Sequence, residues 1–250
     1  MAKHYENKSK NFIRIILLIL FITLLIISSL KFIEWYRNNK RNEKILEEIS
    51  QAITVDETQE KQEDKYNVDF ETLKEKNSDL VGWLKVNGTQ IEYPVVKYTD
   101  NDFYINHSFD KSYNNAGWIF ADYKNKFDKT DKNIVIYGHN RRDNSLFGTL
   151  KNILTEEWYK SEENKNIVFI TEHENSIYEV FSVYRIQAED YYITTNFAND
   201  EEFAKFIGTI KGRSKKDFNI EVDSTDTILT LSTCANDNRY RVVLHAKKVK

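Results

Sequence analysis

The chain has 250 residues, 40% of them hydrophobic and 14% aromatic, which is enough apolar material for one sizeable core and too much for a disordered chain. The net charge of −3 divides into +5 on residues 1–40 and −8 on the remaining 210, a balance that argues against a nucleic-acid partner. A single cysteine, Cys234, excludes an intrachain disulfide.

In chain order, the first predicted element is a helix over Phe12–Ile33 that carries no charge between Ile15 and Leu30. At 1.5 Å per residue it spans about 33 Å, the thickness of a bilayer core, with Arg14 and Lys31 able to snorkel at its ends. Its carboxy-terminal end runs Lys31-Phe32-Ile33-Glu34-Trp35 and lacks the small residues of a cleavage site, so the segment reads as a retained signal anchor and not a cleaved signal peptide. Lysines and arginines flank it on both sides, and the charge count alone does not orient it. The organisation expected is a short tail at 1–11, a transmembrane helix at 12–33, a helical stalk and polar linker at 34–66, and a folded domain at 67–250.

Helical spacing continues from Glu34 to Ala52 through Ile45, Ile49 and Ile53, and Val55–Tyr66 is rich in Glu, Gln, Asp and Lys and reads as solvated. A short helix is expected from Asp69, ahead of Leu80–Leu84. Then come β-prone runs at Ile91–Val96, Gly117–Phe120, Ile134–Tyr137, Ile167–Thr171, Ser176–Ile186, Thr227–Leu231 and Arg241–Ala246. Such spacing predicts a barrel or a sandwich. Helical interruptions are expected at Leu146–Tyr159 and Glu201–Ile210, the second on the spacing of Phe203, Phe206 and Ile210.

The chemistry-bearing candidates sit at strand ends. Cys234 closes Thr230-Leu231-Ser232-Thr233-Cys234, a polar turn comes next, and Arg241 opens the following strand, which places a cation near a thiol it would activate. A buried structural cysteine is the alternative on composition alone. His139 ends Ile134-Val135-Ile136-Tyr137-Gly138-His139, where an imidazole suits proton exchange near neutral pH. The acids Asp122, Asp128, Asp131 and Asp143 have no calcium-loop spacing and read as solvated, so no metal is expected. Trp83, Trp118 and Trp158 read as core.

Thr230-Leu231-Ser232-Thr233-Cys234 resembles the Thr-Leu-x-Thr-Cys signature of sortases, Tyr137-Gly138-His139-Asn140 is similar to their histidine motif, and Arg241 lies five residues before Ala246 as their arginine does. Arg239, on the same strand face, is its rival. Ser232, the helical segments before the barrel, the Phe203–Ile210 helix, Tyr93-Pro94-Val95-Val96 and the stretch from Asn101 to His107 look like class B. The resemblance covers about residues 67–250.

It implies a mainly β fold: a closed eight-stranded sortase-type barrel with peripheral helices, behind the transmembrane helix. It also implies a cysteine transpeptidase that cleaves a C-terminal sorting signal after threonine through a thioacyl intermediate on Cys234. His139 would be acid and base, and Arg241 an oxyanion donor or a clamp on the peptide. Asn101, Ile105, Tyr192, Ile193 and Ser232 would bind substrate. Partners would be surface proteins with an Asn-Pro-x-Thr-like signal and a peptidoglycan amine, with no cofactor, no metal and no nucleic acid. The catalytic domain would face the outside of a single-pass anchor in the cell membrane. A membrane-anchored cysteine protease and a non-catalytic peptide-binding module of the same fold are the alternatives.

Overall fold

A computed structural model describes residues 2–56, 58–59, 65–234 and 239–249; for residues 2–10 and 234 it describes the backbone. The chain forms two compact units, Met1–Lys44 and Ile45–Lys250.

Nearly all of the first unit is helix α1, which runs from Ala2 to Ser50 and so ends inside the second. From Asn11 onward it is long and apolar enough to cross a membrane, and the side chains of its apolar stretch are exposed. Thr23 returns its hydroxyl to the Ile19 carbonyl, which satisfies the one polar side chain between Ile15 and Ile27 within the helix itself.

In the second unit, strand β1 (Ile53–Val55) pairs antiparallel with β2 (Tyr66–Val68), so the ends of the segment read as a solvated linker form a two-stranded ribbon. Ile49 and Ala52 are buried, as is Leu73 of helix α2 (Phe70–Lys76). Asp69 caps α2, its carboxylate accepting from Thr72 N at 3.0 Å, as expected of an N-cap aspartate.

The barrel strands are β3 (Leu80–Val86), β4 (Ile91–Val96), β5 (Phe120–Ala121), β6 (Asn133–His139), β7 (Asn166–Thr171), β8 (Glu174–Gln187), β9 (Ile228–Cys234) and β10 (Tyr240–Lys248). They close in the order β10-β8-β7-β3-β4-β5-β6-β9. Seven of the eight grow from the runs legible in the sequence, and the eighth is β3. Its register breaks between Leu80 and Gly82, and at Gly82 an added Cβ would lie 2.7 Å from the Phe169 ring, so glycine lets β7 approach.

Two expectations change. The run Gly117–Phe120 pairs only at Phe120–Ala121, because Gly117 holds φ +63°, a left-handed conformation no strand continues. The span Leu146–Tyr159 is not one helix but a 3-10 segment (Leu150–Leu154) and a single turn, α3 (Glu156–Tyr159), with Leu146 at φ +52°. Helix α4 (Asp200–Gly212) does form, capped by Asn199 onto Glu202 N at 2.9 Å. It packs Phe203, Phe206, Ile207 and Ile210 against Phe181, Tyr184 and Val243. At about 1.5–3 kcal/mol per buried side chain, this contact fixes the helix on the late strands. Trp83, Trp118 and Trp158 are all buried.

Candidate active site

Strands β6 and β9 run parallel, and their register pairs Ile134 with Leu229 and, five steps on, His139 with Cys234. Both strands are buried along nearly their whole length, β6 through the apolar run Ile134–Tyr137 and β9 with Thr230, Ser232 and Thr233 buried among its apolar residues, because both their faces are covered. Strand β10 returns antiparallel beside β9, with Val243 opposite Ser232, and the Val242 N–H extends the pairing by donating to Thr233 Oγ1 at 2.9 Å. The ends of β6 and β9 and the start of β10 therefore meet at one mouth of the barrel. The Cys234 side chain and residues 235–238 lie outside the described residues.

His139 is partly buried, and its Nε2 lies 2.8 Å from the Ile105 carbonyl oxygen. A carbonyl only accepts, so Nε2 carries the proton, and the neutral ring keeps Nδ1 as its acceptor. Burial pushes the imidazole pKa below its ordinary value, and the Arg141 charge adds to this, against the opposing pull of the Ile105 carbonyl. Arg141 is itself held by Asp143, Nη2 to Oδ2 at 2.6 Å, which ties down the loop that leaves His139.

Gly117 sits under this pair. A Cβ there would lie 2.6 Å from the Ile105 oxygen, 2.7 Å from the Tyr104 oxygen and 2.8 Å from His139 Cδ2, on a backbone already at φ +63°. Gly117→Ala is therefore expected to destabilise the protein by about 1–3 kcal/mol and to displace the imidazole. Thermal melting and the imidazole resonances in NMR would check both; a variant with unchanged melting and unchanged resonances would contradict the assignment.

Beside His139 a cavity of about 270 Å³ is lined by Asn101, Ile105, Phe120, Tyr137, Tyr192, Ile193, Ser232, Thr233, Arg241 and the loop Ala188–Asp190. All five residues marked as peptide-binding by resemblance converge on it, together with Arg241. Arg241 donates from Nη1 to the Tyr240 carbonyl at 3.2 Å, whereas Arg239 is exposed and outside the lining. Tyr192, 2% exposed, shares a 3.1 Å hydrogen bond between its hydroxyl and Ser232 Oγ, joining the loop after β8 to β9. Its ring stands edge-on to Tyr184.

Asp122, read from the sequence as solvated, is 2% exposed. It lies under the cavity wall because β5 ends just before it, and backbone and side-chain donors replace the water it gives up. Nothing in its sequence neighbourhood distinguished it from Asp128, which is exposed. Among the described residues, no three His, Cys, Asp or Glu side chains gather as a metal site would require.

The sortase domain family model matches residues 84–249. Sortase B of Staphylococcus aureus is 31% identical over 246 residues, covering 97% of this chain and 99% of that protein. A crystal structure of sortase B from Bacillus anthracis superposes with a TM-score of 0.74 at 33% identity, covering 88% of this chain and 99% of that one. One from Clostridium perfringens gives 0.67 at 38% identity over 72% and 99%. With a closed eight-stranded barrel and the strand ends that carry the signature residues meeting at one mouth, the chain belongs to the sortase family, on its sortase B branch, and is a sortase-type cysteine transpeptidase.

Proposed function

We propose that the enzyme cleaves a C-terminal sorting signal after its threonine and joins the new carboxyl end to an amine of the cell-wall peptidoglycan. The observation that carries this reading is the β6–β9 register, which sets the Cys234 backbone beside His139 at the mouth where Arg241 lines the cavity.

The Cys234 thiolate attacks the threonine carbonyl and an S–C bond forms. The C–N bond breaks, and the departing amine takes a proton from the His139 imidazolium, leaving a thioacyl enzyme. An incoming amine then gives its proton to His139, forms the new C–N bond and releases the thiolate. Arg241 supplies the charged donor on the wall that the peptide and its developing oxyanion occupy, a contribution on the order of 3 kcal/mol for comparable donors. An amine acceptor agrees with a sortase B structure, 34% identical to this chain, that was solved in complex with triglycine. In the cell the Phe12–Ile33 helix anchors the enzyme in the membrane with residues 67–250 outside, where surface proteins bearing an Asn-Pro-x-Thr-like signal and the wall amines are found.

The test is intact-mass spectrometry of the full chain in detergent with a panel of sorting-signal peptides, with and without triglycine, beside Cys234→Ala. A Cys234-dependent adduct that resolves to an amine-ligated peptide is expected. Hydrolysis alone, whatever the acceptor, would identify a membrane-anchored protease instead. The absence of any adduct, with Cys234 inert to alkylation, would identify a binding module.

A further inference from the structure

Asp122 is a nearly fully buried carboxylate with three donors turned on it. Asn101 Nδ2 donates to Oδ2 at 2.9 Å, the Tyr137 hydroxyl donates to the same oxygen at 2.8 Å, and the Lys124 N–H donates to Oδ1 at 2.9 Å. Asn101 and Tyr137 both line the cavity beside His139. They come from different parts of the fold, Asn101 from the loop after β4 and Tyr137 from β6. The carboxylate is therefore the point at which two parts of the groove wall are fastened together.

It also decides which way Asn101 faces. The side-chain oxygen of Asn101 accepts from the Tyr123 N–H at 3.0 Å. Turning the amide over would set its oxygen against the carboxylate and its NH₂ against a backbone N–H, losing both bonds and creating two repulsive contacts. With the amide locked, one of its two N–H groups is spent on Asp122 and the other is available to a ligand. A carboxylate acceptor makes each of these bonds shorter and stronger than a neutral acceptor would.

We propose that Asp122 is a positioning residue for substrate recognition: it fixes Asn101 so that the second amide N–H donates to a carbonyl oxygen of the bound peptide, and it holds Tyr137 at its place in the same wall. This rests on the reading of the cavity as the sorting-signal groove. Asp122 acts on peptide binding, through the side chains it holds, and not on the chemistry at Cys234.

The test is steady-state ligation by the full chain in detergent across a peptide concentration series, with Cys234 alkylation by iodoacetamide measured in parallel. Asp122→Asn keeps the size of the side chain but sets an NH₂ or a neutral oxygen against the donors. The expected result is a KM for peptide raised about tenfold, with kcat within about twofold and the alkylation rate unchanged. Since the effect travels through Asn101, Asp122→Asn adds less than about twofold to KM in an Asn101→Ala background. An unchanged KM in a folded Asp122→Asn protein overturns the proposal, as does a full tenfold effect in the Asn101→Ala background, or a loss of kcat and alkylation at constant KM. If Asp122→Asn fails to fold, Tyr137→Phe, which removes one of the three donors, carries the same KM-against-kcat test. No thioacyl adduct from the wild type with any peptide overturns the groove reading and this inference with it, whereas normal adduct formation with an insensitive KM overturns this inference only.

Discussion

Replacing His139 with asparagine is expected to slow peptide-to-amine ligation by about 10²–10⁴-fold while leaving the protein folded. The residue ends β6 in register with Cys234, and its Nε2 proton is committed to the Ile105 carbonyl, so Nδ1 is the nitrogen left to exchange a proton. Asparagine can keep the hydrogen bond to Ile105 but cannot take up and return a proton near neutral pH. The pH dependence has its origin in the same geometry. Thiolate and imidazolium together carry one proton between them, and when the medium supplies a second one no nucleophile is left. Wild-type kcat/KM therefore falls on the acid side as the pair takes up its second proton, and because burial disfavours the charged imidazolium, the doubly protonated pair forms only below the ordinary imidazole value of 6.5. A ligation rate profile across about pH 4–9 measures this. Activity in His139→Asn within tenfold of wild type would remove His139 from the mechanism.

The other large effect concerns stability and a histidine far from the chemistry. His245 on β10 is 0% exposed and hydrogen-bonded at both nitrogens, Nδ1 to Thr230 Oγ1 at 2.8 Å and Nε2 to the Tyr184 hydroxyl at 2.7 Å. Thr230 spends its own proton on Asn133 Oδ1 at 2.7 Å, so it accepts from Nδ1–H, and Nε2 accepts from tyrosine. These partners hold the ring neutral. Burial, with the Arg213 charge adding to it, pushes the pKa down to about 3. The unfolded chain binds a proton at this residue near 6.5 and the folded chain does not until near 3, so the contribution is complete above about pH 6.5 and is lost as pH falls toward 3. At roughly 1.4 kcal/mol per unit the loss approaches 4–5 kcal/mol, a large share of a typical domain's stability. Urea unfolding of the full chain at about pH 7 and pH 4 should show it, and His245→Gln should lose about 3 kcal/mol less over that interval, although it starts less stable. Parallel pH dependence in the two proteins would show that other groups govern the acid response.

How much of this was legible in the sequence depended on whether the determining contact was local. Seven barrel strands and helix α4 were legible because alternation, apolar runs and the Phe203–Phe206–Ile210 spacing act within a few residues. Strand β3 was less so, since its bulge and Gly82 answer to Phe169, some 87 positions away. The short α3 and the truncated β5 reflect left-handed backbone at Leu146 and Gly117, which tertiary contacts impose. At the site, the signature residues stood out as motifs, and the five groove residues were named through resemblance rather than through any spacing. Asp122 and Gly117 carried no such mark: one matters for the donors that fold around it, the other for the space it leaves empty. The adjacency of His139 and Cys234 likewise depends on a parallel pairing that no local pattern encodes.

That pairing joins segments about 95 residues apart, and β9 is also the strand that links β6 to β10 and so completes the ring. Its contacts are among those that cost most chain entropy and are made only when long loops have been drawn in. The imidazole and the thiol-bearing strand end therefore become neighbours in the same event that shuts the barrel. A partly folded chain, whatever hairpins it has assembled, holds the two reactive groups on unconnected segments, and catalytic competence arises as a property of global closure rather than of any fragment.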